Sequence, residues 1–246
     1  MEYKISVVIR TYNEQKHIRE VLESLKKQTY KNYETIVLDS QSTDDTLSIA
    51  SEYGVRIEHI RKCDFNYSYA SNKCVELSIG DIVCFLSGHS VPIKETYLEE
   101  TNKIFQDDQI GACYGDVIAL PDGSFTEKVF NRLGYIKNRL KGINSSMKLE
   151  TEIHPGIFSC SNASARRSLL VKHPFTEALG RGGEDIEVAY RIIKDGYYIA
   201  CVPELLVMHS HGKKFFEFIK EFKNWRIMWE DVIKYINGEK NDDKEI

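Results

Sequence analysis

No run of uncharged apolar residues in this sequence approaches the ~18 that a membrane-spanning helix needs, so no such helix is predicted. Cysteine offers no framework either. The six cysteines, at 63, 74, 84, 113, 160 and 201, include no C-x-x-C pair and no histidine at zinc-finger spacing. That pattern predicts reduced, mostly buried thiols, which suit a cytosol. Excess positive charge is missing as well: Lys plus Arg is 33 against 37 for Asp plus Glu, a net charge of −4. A global attraction for nucleic acid or an anionic membrane is thereby excluded, and any phosphate binding must be local. Glycine and proline are scarce, 15 and 5 in 246 residues, and no internal repeat is present, which excludes collagen-like and repeat chains. With 42% hydrophobic and 28% charged residues, the composition is that of a globular protein of one large domain or two small ones. The opening MEYKISVVIR has an acid in second place and only five residues of strand-like character before Arg10. No signal peptide is predicted, and the expected location is cytoplasmic.

What the sequence does have is alternation. Ile5 to Ile9 is a β-branched run, polar Arg10-Thr11-Tyr12-Asn13-Glu14 follows, and Ile18, Val21, Leu22 and Leu25 come next at helical spacing. Thr35 to Leu38 repeats the strand, and the polar run Asp39 to Thr46 leads into a second helix, with Ser42 and Asp45 spaced as an N-cap pair. Val55 to Ile60 predicts a third strand, Tyr67 to Leu77 a helix, and Ile82 to Leu86 a strand buried on both faces. Beyond Pro92 the expected elements are a helix near Glu95 to Phe105, a strand near Ile110 to Leu120 and an irregular stretch to Glu150. A helix near Glu184 to Ile193 and strands at Tyr197 to Val202 and Leu205 to His209 follow. Such alternation predicts an α/β fold, a mostly parallel sheet with helices on both faces and ligands at the carboxyl ends of its strands, after Ile9, Leu38 and Leu86. Phe215, Ile219, Phe222, Trp225, Trp229, Val232 and Ile236 share one stripe of a final helix, and Lys240 to Ile246 reads as a polar tail.

Three segments carry a resemblance. Ser6-Val7-Val8-Ile9-Arg10-Thr11-Tyr12-Asn13-Glu14, Val37 to Thr46, and Gly182-Gly183-Glu184-Asp185 together resemble glycosyltransferase family 2, inverting enzymes with the GT-A nucleotide-sugar fold. The resemblance covers roughly residues 3–211. It implies a Rossmann-like αβα sandwich over residues 1–211, with a nucleotide-binding half (1–95) and an acceptor half (96–211), followed by an amphipathic helix and tail (212–246). It also implies transfer of a sugar from a UDP or dTDP donor to a saccharide or lipid-linked saccharide hydroxyl, in surface polysaccharide synthesis.

The family's nucleotide positions fall on Thr11, Tyr12, Glu14 and Asp39. A carboxylate at the end of a buried strand can accept the N3–H of uracil or thymine while Tyr12 stacks on the base; guanine also offers donors, so the base stays open. The plainer alternative is that Asp39 caps its turn and Tyr12 packs on the surface, while Asn13, Ser42 and Asp44 suit loop fixing. Phe65 to Asn72 resembles the Phe-x-Tyr-x-x-Ala-x-Asn segment of rhamnosyltransferase-like members, which implies that Asn72 helps hold the donor. Where the family carries Asp-x-Asp, with a divalent metal on the second Asp, this chain has Ser87-Gly88-His89. Imidazole ligates Mn²⁺ but suits hard Mg²⁺ poorly. His89 is then a softer metal ligand or a cationic partner of the leaving diphosphate. His209 and His211, two apart on a strand and so on one face, resemble the family's C-terminal metal- or phosphate-contacting histidine.

Asp185 stands at the family's catalytic-base position, with Glu184 as its understudy. An inverting transfer needs one carboxylate to take the proton of the acceptor hydroxyl; acids also simply favour a helix N-terminus. Ser161, Asn162 and Arg166, with Arg167, resemble the acceptor-side segment, where an Arg would neutralise a diphosphate. Two rivals stand beside this reading. One is a non-catalytic nucleotide-sugar-binding or scaffold protein in which Ser87-Gly88-His89 marks a decayed metal site. The other is a nucleotidyltransferase, which would want a Gly-rich basic loop that Arg10 to Glu14 lacks. The last helix, with Lys213, Lys214, Lys220, Lys223 and Arg226 nearby, either packs on the domain or makes a peripheral contact through residues 213–236 with the inner face of a membrane. No nucleic-acid partner is expected.

Overall fold

The computed structural model of the protein describes residues 1–129, 132, 147–179, 182–213 and 215–238. The β-branched runs form β1 (Ile5–Thr11), β2 (Tyr33–Asp39) and β3 (Arg56–His59), and the apolar run before the serine forms β4 (Ile82–Ser87). Between them lie α1 (Ile18–Lys26), α2 (Thr46–Ser51) and α3 (Tyr67–Leu77). α1 buries Ile18, Val21, Leu22 and Leu25, the four residues whose spacing predicts it. α3 begins where the Asn66 side chain accepts the Tyr69 N–H at 2.7 Å.

The start of α2 differs from expectation. Ser42 and Asp45 do not form a cap; Asp45 makes no side-chain cap bond, and the Thr46 N–H goes to Asp44 at 3.0 Å. The Ser42 hydroxyl instead donates to Asp39 at 2.5 Å. A buried carboxylate left without donors is costlier than a frayed helix end, so Asp39 captures it.

The second half contains β5 (Val91–Pro92), α4 (Tyr97–Ile104), β6 (Ile110–Ile118), β7 (Lys148–Glu150), β8 (Asn162–Arg166), α5 (Arg167–Lys172), α6 (Glu184–Lys194), β9 (Tyr198–Met208) and α7 (Phe215–Ile236). β8 and β7 are absent from the sequence reading. Asn-Ala-Ser-Ala-Arg carries no β-branched residue, and β8 exists because β4 and β6 pair with it on both sides. The two strands expected over 197–209 are one. Beside Gly115 the register of β9 on β6 shifts, and a Cβ on Gly115 would lie 1.6 Å from the Leu205 carbonyl oxygen, so the strand bulges there and continues.

The sheet runs β3-β2-β1-β4-β8-β6-β9-β5, with β7 also paired to β9. Pairing is parallel for β1 with β2 and β4, β2 with β3 and β6 with β9, and antiparallel where β5, β7 and β8 join. The sheet is therefore mostly parallel, as expected. Alternation along the strands fills two layers. Val8, Ile36, Leu38 and Phe85 pack with α3, α5 and α6. Ile5, Val7, Ile9, Val37, Cys84 and Leu86 pack with α1 and α4.

The apolar stripe of α7 divides. Val232 is fully buried, and Met228, Trp229 and Ile236 pack on the α6 side of the core, whereas Phe215, Phe216, Ile219, Phe222 and Trp225 are exposed. Two glycines let this helix close on the start of α6. Gly182 and Gly183 have φ of 117° and 93°, and a Cβ on Gly183 would lie 2.4 Å from Val232 Cγ2. Gly183→Ala should combine a left-handed penalty of ~1–2 kcal/mol with overpacking of ~1–3 kcal/mol. A loss of about 2–5 kcal/mol in urea denaturation is expected; an unchanged midpoint would show that α7 does not press on this turn. Arg181, Lys214 and the 240–246 tail lie outside the described residues.

Candidate active site

The carboxyl ends of β1, β2 and β4 bring three polar clusters together. At the β1–β2 end, Thr11 and Asp39 are register partners and both are buried. The Asp39 carboxylate accepts from the Thr11 hydroxyl at 3.1 Å and from the Ser42 N–H at 2.8 Å as well as from the Ser42 hydroxyl. Asn13 ties the two loops: its N–H donates to Ser42 Oγ at 2.9 Å and its Oδ1 accepts the Thr43 N–H at 2.8 Å. Beside them the Tyr12 ring is 39% exposed, with the Lys62 ammonium 4.2 Å from its centroid. His59 Nδ1 lies 3.9 Å from Asp39. The result is a flat aromatic face next to a buried acceptor and two basic groups.

The second cluster lies at the end of β4. His89, His209 and His211 each offer a ring nitrogen, and these atoms lie within 4.8 Å of one another. His209 is held from behind, its Nδ1 meeting the hydroxyls of Ser87 at 3.1 Å and Ser90 at 2.9 Å. His89 is held by Glu14, with Nδ1 2.8 Å from Oε1. Gly88 makes that approach fit, since a Cβ there would lie 2.5 Å from Glu14 Cγ. Burial, then the neighbouring His89 and His211, push the His209 imidazole well below its usual value, and burial likewise lowers His211. A cleft of ≈ 280 Å³ opens beside the cluster, between Glu14, Lys16, His17 and Asp122.

The third cluster is the acidic pair. The left-handed Gly183 starts α6, and Glu184 and Asp185 occupy its first turn, with Asp185 accepting the Ile186 N–H at 2.8 Å. Burial first, then the charge of Asp185, raise the Glu184 carboxyl; burial raises Asp185 too, and the Arg10 guanidinium opposes both shifts. Arg10, at the end of β1, donates to Ser71 Oγ at 2.9 Å and to the Cys160 carbonyl at 3.4 Å. Arg10 and Ser87 are register partners, so the acidic pair that faces Arg10 and the histidines anchored on Ser87 converge on one end of the sheet.

Other expected residues lie elsewhere or do other work. Asn72 does not point a free amide at the cleft: it donates to the Phe175 carbonyl at 2.9 Å and accepts the Phe175 N–H at 2.8 Å, which pins α3 to the 173–179 segment. Asn162 is buried, donating to the Leu205 carbonyl at 2.7 Å and accepting from Tyr97 at 2.8 Å. Arg166 needs the clearest correction. β8 runs antiparallel to β4, so Asn162 pairs with Leu86 at the site end while Arg166 pairs with Ile82, ~13 Å away at the far end. There Arg166 donates to the carbonyls of Ile110 at 2.9 Å and Phe105 at 3.0 Å. Ser161, half-buried at the site end, has its hydroxyl 3.1 Å from that of Ser159. Sequence reasoning missed Arg10 and Ser90, and Glu14 as the partner of His89. Arg10 stood inside the first motif, and its place at a strand end was the available signal.

The acidic pair leaves a mark on stability. A carboxyl whose folded pKa is raised binds its proton more tightly folded than unfolded, so ionising it opposes folding. Stability conferred by the protonated form is present below about pH 4 and is lost as pH rises through the raised values. Glu184→Gln should therefore melt higher than the wild type at pH 8, with the advantage shrinking towards pH 4. A difference that is constant across thermal melts over that range would refute the raised pKa.

Comparison with known proteins places the chain in a family. The model of Glycosyl transferase family 2 matches residues 6–173. The O-antigen chain rhamnosyltransferase WbaN of Salmonella anatum is 30% identical over 215 residues, 84% of this chain and 66% of the relative. RfbN of Salmonella typhimurium, an O-antigen chain rhamnosyltransferase, is 28% identical over 85% of this chain and 67% of its own length. The chain thus spans about two thirds of these curated relatives. Among solved structures, glucosyl-3-phosphoglycerate synthase from Mycobacterium tuberculosis with Mn²⁺, UDP and phosphoglyceric acid superposes with a TM-score of 0.68 at 19% identity, covering 98% of this chain and 80% of that one. The mannosyltransferase PcManGT from Pyrobaculum calidifontis, in complex with GDP-Man and Mn²⁺, gives 0.66 at 21% identity, covering 95% and 62%. These two share the fold, the GT-A arrangement of a curled, mostly parallel sheet between helices. With its motifs at the carboxyl ends of β1, β2 and β4 and the family model matching well over half its length, the chain belongs to glycosyl transferase family 2.

Proposed function

We propose that the chain is an inverting glycosyltransferase that moves a sugar from a nucleotide diphosphate donor, UDP- or dTDP-linked, to a hydroxyl of a saccharide or lipid-linked saccharide in surface polysaccharide synthesis. The observation that carries this reading is the acidic pair at the start of α6, Glu184 buried and Asp185 half-buried, facing Arg10 at the site end of the sheet. Two carboxyls raised together share one negative charge, so one is ionised and basic while its neighbour holds a proton. Asp185 takes the proton of the acceptor hydroxyl; the acceptor oxygen bonds to the anomeric carbon on the face opposite the diphosphate. The bond from that carbon to the diphosphate oxygen breaks, and the electron pair leaves with the diphosphate. One carboxylate suffices for a single displacement, and a single displacement inverts.

Asp39 and Tyr12 suit the nucleotide base, the first as acceptor and the second as stacking face. The resident group implied by the family, a divalent ion, fits the three histidines, because His89 Nε2 is buried with no hydrogen-bond partner. Such an ion, when bound, would supply positive charge to the leaving diphosphate. The names of the Salmonella relatives support a saccharide acceptor. The test is a melting-temperature screen of UDP-, dTDP- and GDP-sugars, since a donor at ~100 times its Kd stabilises by ~2.7 kcal/mol. One donor class should stand out and then be consumed with an acceptor. No stabilisation by any of them would overturn the reading, and binding without transfer would favour the scaffold.

The exposed half of α7 suits the same reading. Phe215, Phe216, Ile219 and Phe222 stand exposed beside Lys220, Lys223 and Arg226, an apolar and basic surface suited to an anionic leaflet that carries a lipid-linked acceptor. Among the described residues no helix is long and apolar enough to cross a membrane. Co-sedimentation with phosphatidylglycerol vesicles is expected, weakening with salt and in Lys220→Glu/Lys223→Glu. Equal binding by that variant would rule out this contact.

A further inference from the structure

We infer that His89, His209 and His211 form a three-imidazole site for a late first-row divalent ion of the Zn²⁺ and Co²⁺ class, with Mn²⁺ weaker and Mg²⁺ excluded. This deepens the transferase reading and rests on it only for what the ion is used for.

The donor set is the first argument. Three imidazole nitrogen ligands suit borderline-soft cations, and affinity for such a set rises from Mn²⁺ through Co²⁺ towards Zn²⁺; Mg²⁺ wants oxygen. The spacing is the second. His209 Nε2 and His211 Nε2 are 3.2 Å apart. Two nitrogens at ~2.0–2.1 Å from one ion, at angles between octahedral and tetrahedral, are separated by about 2.8–3.4 Å. The third is orientation from behind. Ring nitrogens opposite the shared centre are already taken: Glu14 holds His89 Nδ1 and the Ser87 and Ser90 hydroxyls hold His209 Nδ1. A carboxylate behind a ligating imidazole fixes the ring and raises its basicity. His211 is fixed through its backbone, whose N–H donates to Glu127 at 2.9 Å. The fourth is the orphan. His89 Nε2 is buried with no hydrogen-bond partner, although the opposite nitrogen of the same ring is well held. A buried polar atom without a partner is costly, and an ion at the centre of the cluster would satisfy it.

The test uses the tag-free chain, stripped with chelator and dialysed without nucleotide against Zn²⁺, Co²⁺, Mn²⁺ or Mg²⁺ in turn. One Co²⁺ per chain is expected, with visible bands of imidazole coordination. Zn²⁺ should bind more tightly and Mn²⁺ more weakly, and Mg²⁺ should not saturate where Mn²⁺ does. His89→Ala and His211→Ala should each weaken Co²⁺ binding at least 100-fold. Glu14→Gln, which keeps all three ligands, should weaken it ~10–100-fold. Metal-free melting temperatures show that each variant is folded, and Glu14→Gln serves if a histidine variant is not. Mg²⁺ binding as tight as Co²⁺, or a Co²⁺ Kd unchanged in the histidine variants, overturns the site. Because no sugar nucleotide is present, a chain that binds Co²⁺ as described yet transfers nothing overturns the transferase reading alone.

Discussion

Asp185→Asn is expected to slow sugar transfer by ~10²–10⁴-fold, the usual cost of removing a general base, with donor Kd within about a factor of two of the wild type. Asparagine keeps the size of the side chain and can still accept the Ile186 N–H through its Oδ1, so the start of α6 is preserved. What it cannot do is take a proton. Glu184 is the internal control. It lies beside Asp185 and is raised by the same burial, so Glu184→Gln should alter the pH profile of transfer more than its maximum. In the wild type, kcat/KM should fall on acidification with a midpoint above the ordinary carboxylate value of ~4. The measurement is transfer rate and donor Kd on the same variant. Wild-type transfer by Asp185→Asn removes the base assignment, and a matching loss of donor affinity would put Asp185 on the donor instead.

Asp39→Ala should weaken nucleotide binding by ~1.5–3 kcal/mol, about 10- to 150-fold in Kd, the range for a hydrogen bond to a charged group. The carboxylate also holds the Thr11 and Ser42 hydroxyls, so the loss of loop order must be separated from the loss of the acceptor. Asn13→Ala removes the Oδ1 half of the tie between the same two loops, its bond with the Thr43 N–H, and leaves Asp39 in place. Calorimetry should find the second variant within a few fold of the wild type. Equal losses in the two variants would mean that Asp39 only caps its turn, and no loss in either would remove it from the site.

The alternation that filled the first ninety residues was legible because each element obeys one simple rule. Ile18, Val21, Leu22 and Leu25 can share a face only as a helix, and Ile82 to Leu86 can be apolar throughout only where both faces are covered. Both expectations match the structure within a residue or two. Beyond Ile110 the rules lose force. β8 has no strand-forming composition, and β9 crosses Pro203 as one strand because β6 bulges with it. The stripe of α7 was visible, but where it is covered depends on Gly182 and Gly183, more than forty positions before Val232.

The candidate site divides in the same way. The amino-acid sequence by itself determined which chemistry is on hand: a carboxylate after the second strand, an acidic pair behind glycines, and His89 where the resembled family carries the second Asp of Asp-x-Asp. The first two are properties of residue type and local spacing, which survive without knowledge of the fold, and the third is what the family resemblance implies. Tertiary structure alone decided which of these groups meet. Strand direction sent Arg166 to the far end of the sheet while its neighbour Asn162 stayed at the site end, and no local signal encodes the direction of a strand. Sheet register set Arg10 beside Ser87, and with them the acidic pair and the three histidines at one edge. Hydrogen-bond demand settled the rest: Asn72 turned to the Phe175 backbone and Glu14 to His89, because a buried polar atom goes to the partner that packing brings within reach.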